Sequence, residues 1–74
     1  MYLHIGNNFI IETKNIIGIF NLENIKKNES ENNKKIKVCD DNAKSCILYK
    51  KDNEIIEYFT NISTSTLLKR INMY

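Results

Sequence analysis

The sequence has little of the material from which metal sites, phosphate loops and membrane spans are built. It has one histidine, His4, and two cysteines, Cys39 and Cys46, which are too few and wrongly spaced for a zinc site. Gly6 and Gly18 are the only glycines, so a glycine-rich phosphate loop is excluded. The apolar runs extend over a few residues, whereas a membrane-spanning helix needs about 20. We therefore expect no metal, no cofactor and no membrane segment.

Catalytic groups are also scarce. A nucleophile needs a neighbouring base and a further group that orients the base, and a single histidine supplies at most one such pair with a cysteine. The carboxylates occur at turns and on strand surfaces, without a spacing that would make two of them share a proton. The chain is therefore expected not to be an enzyme and to have no small-molecule substrate.

The chain is short. Its 74 residues, 1–74, form a single predicted domain, and a domain of this size buries only about 60% of the surface that its unfolded chain exposes. Small domains gain the missing stability from disulfides, metals or partner subunits. The N-terminus has no basic segment ahead of an apolar run, so we expect no secretory signal and a cytoplasmic location. Oligomerisation is then the predicted source of stability, because a reducing compartment disfavours disulfides.

The two cysteines have two interpretations. In a reducing cytoplasm, Cys39 and Cys46 are expected to be small apolar core residues. The alternative is a redox pair, since a hairpin over residues 38–46 would bring the two sulfurs close together.

The charge balance indicates a nucleic-acid partner only weakly. A formal net charge of +2 is too small to mark a DNA-binding surface by itself. Lysines crowd the middle of the chain and a basic pair lies near its end, at Lys26, Lys27, Lys34, Lys35, Lys37, Lys69 and Arg70. Ile, Asn and Lys, which have AT-rich codons, are heavily used, so genome composition is an alternative explanation of the lysine excess.

The apolar pattern predicts a small α+β domain with about five, mostly antiparallel strands. Six segments are candidates for these strands, at residues 2–5, 9–12, 16–20, 36–39, 45–49 and 54–59, and turn residues separate them at 6–8, 13–15, 40–43 and 51–53. The segments 36–39 and 45–49 are expected to pair as a hairpin. Residues 16–20 are apolar on both faces, which predicts burial on two sides and hence a partner surface.

Two helices complete the expected fold. Asn21 is a candidate cap for a short middle helix that begins at Leu22, and residues 28–35 are expected to be mobile because they have little to bury. Residues 63–66 offer several caps for a C-terminal helix. Its Leu67, Leu68 and Ile71 are expected to pack on the sheet.

Five segments of the chain resemble the bacterial extracellular matrix regulator (Rem) family, and its RemB-like branch in particular. They are YLHIG at 2–6, FII at 9–11, TKNIIGIFNLE at 13–23, KSCIL at 44–48 and ISTSTLLKR at 62–70. The resemblance implies a regulator of extracellular matrix and biofilm genes with a fold akin to the LytTR type of DNA-binding domain. It also implies a homo-oligomer, in some members a ring, that binds double-stranded DNA, for which an AT-rich site is expected.

The DNA-binding branch of that family carries arginines in the loop before the third strand and at the central hairpin. Here the loop position is Asn15, with Lys14 beside it, and the hairpin positions are Asp41 and Asn42, with Lys44 nearby. The predicted DNA-binding residues are therefore Lys14, Asn15, Lys44, Lys69 and Arg70. The missing arginines favour an alternative function, an oligomeric protein-interaction scaffold with little or no DNA affinity. Clustering of Lys14 and Lys44 into one positive track would favour DNA binding over the scaffold.

Overall fold

The computed structural model describes residues 1–22, 33–40 and 42–71, in which six strands precede one C-terminal helix. The strands are β1 (Tyr2–Gly6), β2 (Phe9–Glu12), β3 (Ile16–Asn21), β4 (Lys34–Lys37), β5 (Ser45–Lys51) and β6 (Glu54–Thr60), and the helix is α1 (Thr64–Ile71). A 3-10 turn, Thr13–Asn15, joins β2 to β3. The chain is thus an α+β domain, with one strand more than the expected number. The expected middle helix and most of the stretch 28–35 lie outside the described residues, although Lys34 and Lys35 of that stretch belong to β4.

Both tight hairpins form where the sequence has Asn, Asp and Gly. Asn7 and Asn8 between β1 and β2 have φ of 41° and 67°, and Asp52 and Asn53 between β5 and β6 have φ of 50° and 69°. Asn and Asp adopt this left-handed conformation more readily than other side chains do, because they hydrogen-bond locally. Two successive residues with positive φ also match the twist of the strands that a hairpin joins. The turns predicted at 6–8 and 51–53 are therefore confirmed.

The four-stranded sheet has the order β3-β5-β6-β4. β5 is antiparallel to both β3 and β6, whereas β4 pairs parallel to β6. The hairpin expected between 36–39 and 45–49 is therefore wrong. Both sides of β5 are already occupied by β3 and β6, so β4 can pair only at an outer edge of the sheet, and it pairs with β6. The N–H of Val38, just after β4, donates to the Phe59 carbonyl oxygen at 2.8 Å, which extends this pairing.

The apolar core lies on one face of the four-stranded sheet. Alternate residues of β5 and β6 point into it, and the tyrosine rings of Tyr49 and Tyr58 meet edge to face with centroids 5.7 Å apart. The β1–β2 hairpin and α1 close the core from the other side. The buried cluster comprises Leu3, Ile5, Ile11, Val38, Ile47, Tyr49, Ile56, Tyr58 and Leu67.

Two buried hydroxyls hold the layers of this core together. Thr60 Oγ1 donates to the carbonyl oxygen of Ile5 at 2.7 Å and accepts the N–H of Ile62 at 3.2 Å. Ser45 Oγ donates to the Ile62 carbonyl oxygen at 2.7 Å. The end of β6 is thereby tied to β1 and to the start of β5. Both hydroxyls are fully buried, so their hydrogen bonds to water are replaced by hydrogen bonds within the protein.

Helix α1 begins at a cap that the sequence predicts. Ser63 Oγ accepts the N–H of Thr66 at 3.3 Å, which satisfies a donor that the first turn of a helix leaves free. Leu67 is fully buried, and Ile71, one turn later, packs against the core. The sequence predicts that Leu68 faces the sheet as well, but this prediction is wrong, since Leu68 is 48% exposed. Its direction differs from that of Leu67 by about 100°, because the helix turns once per 3.6 residues.

The expected two-sided burial of residues 16–20 is wrong for a single chain. Ile17 is 54% exposed and Phe20 is 40% exposed, while Ile16 and Ile19 pack against the core. The reason is that the core covers only one face of the sheet to which β3 belongs. Among the described residues, no helix is long and apolar enough to cross a membrane.

Replacing Thr60 by Val keeps the side-chain size and removes the buried hydroxyl, so the Ile5 carbonyl and the Ile62 N–H lose their partner. We expect the free energy of unfolding to fall by about 1–3 kcal/mol, measured by urea unfolding. In the control Thr13→Val, the deleted hydroxyl is one that donates to the Met1 carbonyl at the surface, and we expect a decrease below about 0.5 kcal/mol. Equal decreases in the two variants would contradict a structural role for Thr60.

Candidate nucleic-acid interface

A buried tyrosine fixes the turn that carries two of the predicted DNA-binding residues, Lys14 and Asn15. The Tyr49 hydroxyl oxygen accepts the backbone N–H of Glu12 at 3.4 Å and the Nδ2–H of Asn15 at 3.2 Å. The Thr13 N–H donates to the Met1 carbonyl oxygen at 3.0 Å, which anchors the start of the same turn to β1. The turn is therefore held at both ends, and Lys14 projects from a fixed backbone.

Lys14 lies at the mouth of an open cleft of about 510 Å³ that also contains two lysines not predicted from the sequence. Lys50 and Lys51 end β5, and the register that sets Ile16 opposite Tyr49 brings this end of β5 beside the 3-10 turn. We call this site the lysine cleft. It is lined by Ile10, Ile11, Glu12, Lys14, Asn15, Tyr49, Lys50, Lys51, Asp52 and Tyr58. The lysine doublet at 50–51 is apparent in the sequence, but its proximity to Lys14 depends on strand pairing.

Two carboxylates reduce the positive charge of the lysine cleft. Lys14 Nζ lies 3.2 Å from Glu12 Oε2, and the Lys14 side chain remains 76% exposed. Exposed ion pairs of this kind contribute at most about 1 kcal/mol, so an anionic ligand can compete for the ammonium. Asp52 lies at the adjoining hairpin turn. Three lysines thus face two carboxylates, which leaves the cleft with a small positive excess.

Lys44 lies far from Lys14 within one chain. The Lys44 N–H donates to the Thr60 carbonyl oxygen, and its own carbonyl oxygen accepts the N–H of Leu22, so Lys44 immediately precedes β5. Lys14 is at the other end of that strand, and seven residues of β5 span about 20 Å at the usual rise per residue. A single chain therefore does not cluster the two lysines into one track. Asn42 is exposed, and Asp41 lies outside the described residues.

The predicted residues on α1 have separate surroundings. Arg70 Nη1 donates to the carbonyl oxygen of His4 at 2.9 Å, so this guanidinium joins α1 to β1. Lys69 beside it is exposed. Neither residue lines the lysine cleft. Arg70 therefore has a structural contact in addition to any contact with a partner.

The two cysteines are buried thiols that form no disulfide with each other. Cys46 lies in β5, and Cys39 follows β4 on the far side of β6, where its Sγ lies 3.9 Å from the Phe59 carbonyl oxygen. Burial, and to a smaller extent the negative charge of Glu57, raises the pKa of Cys46 to about 11, while the positive charge of Lys35 opposes the shift. Cys46 is thus held as the protonated thiol, the form that neither attacks disulfides nor binds metals. Among the described residues, no three His, Cys, Asp or Glu side chains converge on a metal position.

Tyr49→Phe tests the anchoring of the 3-10 turn. Removal of the hydroxyl leaves the Glu12 N–H and the Asn15 amide without their acceptor, and we expect a destabilisation of about 1 kcal/mol. Amide exchange at Glu12 should accelerate more than exchange in β6. Tyr58→Phe is the matched control, because Tyr58 packs in the same core and its hydroxyl forms no hydrogen bond with the described residues. Unchanged exchange at Glu12 in Tyr49→Phe would contradict the anchoring role.

The raised pKa of Cys46 predicts slow alkylation. Relative to a thiol with a pKa of 9.0, a pKa of about 11 leaves about a hundredfold less thiolate at neutral pH. In a Cys39→Ala background, the iodoacetamide rate should keep rising with pH up to about pH 11. Adding Glu57→Gln removes a negative neighbour and should move this profile to lower pH. A rate that levels off near pH 9.0 would contradict the assignment.

Comparison with known proteins identifies no relative of this chain. No family model, no curated protein and no solved structure matches it. The resemblance to the Rem family therefore depends on the five sequence segments alone.

Proposed function

We propose that this chain is a non-enzymatic, DNA-binding regulator of bacterial matrix and biofilm genes that acts in the cytoplasm as a homo-oligomer. The LytTR-like relationship of its fold is part of the same proposal. The observation that carries it is that Lys14, Lys50 and Lys51 all line one cleft beside an anchored turn. Lysines that border one cleft supply cations for the phosphates of a nucleic-acid backbone.

The chemistry of the lysine cleft fits the DNA backbone better than base edges. Lysine neutralises phosphate as a point charge, and each contact releases counterions from the duplex. Asn15 adds an amide group at the same rim, although Tyr49 already accepts one of its N–H groups. Contacts of this kind position a protein on DNA and carry little sequence information. Specificity would then come from DNA shape, for which a stiff AT-rich duplex with a narrow minor groove is a suitable substrate.

A single subunit supplies few phosphate contacts. Glu12 and Asp52 oppose part of the lysine charge, so we expect the affinity of one cleft to be low. Linking several clefts in a homo-oligomer turns later contacts into intramolecular ones, and avidity then exceeds the affinity of each site. We therefore expect oligomerisation to supply most of the affinity for DNA.

The second candidate function is the oligomeric protein-interaction scaffold. The pairing of Lys14 with Glu12 favours it, because this ion pair consumes part of the cleft's charge. The exposed apolar side chains Ile10 and Ile17, at 60% and 54% exposure, favour it too. Lack of DNA binding by an intact oligomer would leave this scaffold as the function.

DNA binding is tested by fluorescence anisotropy with an AT-rich duplex over a range of salt concentrations. Affinity should fall steeply with salt, and Lys50→Gln/Lys51→Gln should lower the log–log salt slope by about 0.9 for each phosphate that the variant no longer neutralises. Lys34→Gln/Lys37→Gln is the control, with the same change of charge at two exposed lysines of β4.

Two results would contradict this proposal. One is the absence of binding at low salt by protein of the correct oligomeric mass. The other is an equal decrease of affinity in the β4 control, which would mean that net charge rather than the lysine cleft determines binding.

A further inference from the structure

The two edges of the four-stranded sheet have opposite chemistry. β4, at one edge, has the sequence Lys-Lys-Ile-Lys. β3, at the other edge, has the sequence Ile-Ile-Gly-Ile-Phe-Asn and contains no charged residue and no proline. Lysines and prolines on edge strands prevent pairing with other chains, and an uncharged apolar edge permits it. β4 is thus protected against strand addition and β3 is not.

The side chains of β3 present apolar surface at this edge. Ile17 is 54% exposed and Phe20 is 40% exposed. The Phe20 ring lies over Gly18, where a Cβ atom would come within 2.9 Å of the ring. The pairing register between β3 and β5 is irregular between Ile16 and Gly18, so regular strand pairing begins at Gly18. No strand pairs with the outer side of β3 in the part of the chain that the structure describes.

We propose that a second copy of this chain pairs antiparallel along β3, and that this pairing completes the DNA-binding surface. The inference rests on the proposed homo-oligomer and names its interface. A two-fold axis normal to the sheet relates the copies, so the two sheets join into one and both Phe20 side chains fall on the same face. Such an isologous contact uses one surface patch on each subunit.

A second copy is favoured over another protein because β3 is compatible with itself. An uncharged strand placed against its own copy meets no like charge, whereas two copies of β4 would repel each other. A stable interface buries about 800 Å² on each partner, a modest part of the 5526 Å² surface of this chain. The edge of β3 is extended by α1, which contacts β3 and carries the 48% exposed Leu68.

Antiparallel pairing brings Lys14 and Lys44 together, although one chain keeps them apart. Lys14 precedes the start of β3, and Lys44 lies beside the end of β3, where its carbonyl oxygen accepts the Leu22 N–H. In an antiparallel pair the start of one strand adjoins the end of the other. Each lysine cleft therefore lies at the same end of the joined strands as Lys44 of the partner subunit. Only two strand spacings, about 10 Å, separate β3 of one subunit from β5 of the other.

The interface is tested first by light-scattering mass. Wild-type protein should give a multiple of the 8.7 kDa chain mass. Ile17→Lys should weaken self-association by about tenfold or more, because it puts an ammonium group into the uncharged apolar edge that the second copy covers. Ile55→Lys is the matched control, with the same substitution at a 38% exposed isoleucine of β6 that does not line the lysine cleft. Circular dichroism establishes that each variant is folded, and Phe20→Lys provides a second edge variant.

The register is tested by cross-linking. An amine-reactive linker shorter than β5 cannot join Lys14 to Lys44 within one chain. In a mixture of 14N- and 15N-labelled protein, we expect Lys14–Lys44 links of mixed isotope composition. These links should become much weaker in Ile17→Lys and persist in Ile55→Lys.

The outcomes separate this inference from the proposed function, because DNA anisotropy is measured on the same samples. A monomeric wild type, an unchanged mass in both edge variants, or an oligomer without mixed Lys14–Lys44 links would overturn the β3 interface. If DNA binding persists in those cases, the binding function stands without it. An oligomer with the expected links that binds no DNA at low salt would support the interface and contradict the function.

Discussion

The one-sided core of the four-stranded sheet is the constraint on which the rest of this structure depends. A chain of 74 residues has enough apolar side chains to cover one face of the sheet, with the β1–β2 hairpin and α1 as the second layer. The buried hydroxyls of Ser45 and Thr60 join those layers at one end. At the edge strand β3, Ile17 and Phe20 remain exposed. A small domain buries a small share of its surface, and the apolar surface that this chain leaves exposed includes β3. Covering β3 would therefore add the burial that the single chain lacks.

The strand order also determines where the charged side chains lie. The strand order puts the three lysines of β4 at one edge and the apolar β3 at the other. Pairing between β3 and β5 brings Lys50 and Lys51 beside the turn of Lys14, and Tyr49 fixes the backbone of that turn. In a single chain, Glu12 and Asp52 offset part of the positive charge of the lysine cleft. We propose that the larger cationic surface belongs to the pair of copies joined along β3, in which Lys14 of one copy and Lys44 of the other lie at the same end of the strands.

Local chemistry makes much of the fold predictable. Asn7 with Asn8, and Asp52 with Asn53, determine their turns through backbone conformations available within a few residues. The cap at Ser63 is likewise local. The parallel pairing of β4 is not predictable, because it depends on which side of β6 is unoccupied. The anchor of Asn15 on Tyr49 and the proximity of Lys50 to Lys14 depend on pairing between segments more than 30 residues apart. Apolar character alone places Leu68 in the core, and the packing of Leu67 and Ile71 turns it outward.

The central claim is that a second copy of the chain completes the β3 edge, and thermal unfolding over a wide range of protein concentration tests it most directly. Binding that occurs only between folded subunits raises the unfolding temperature by mass action. The account predicts that Tm rises with protein concentration for the wild type and is lower and independent of concentration for Ile17→Lys. A wild-type Tm that does not change with concentration would contradict it.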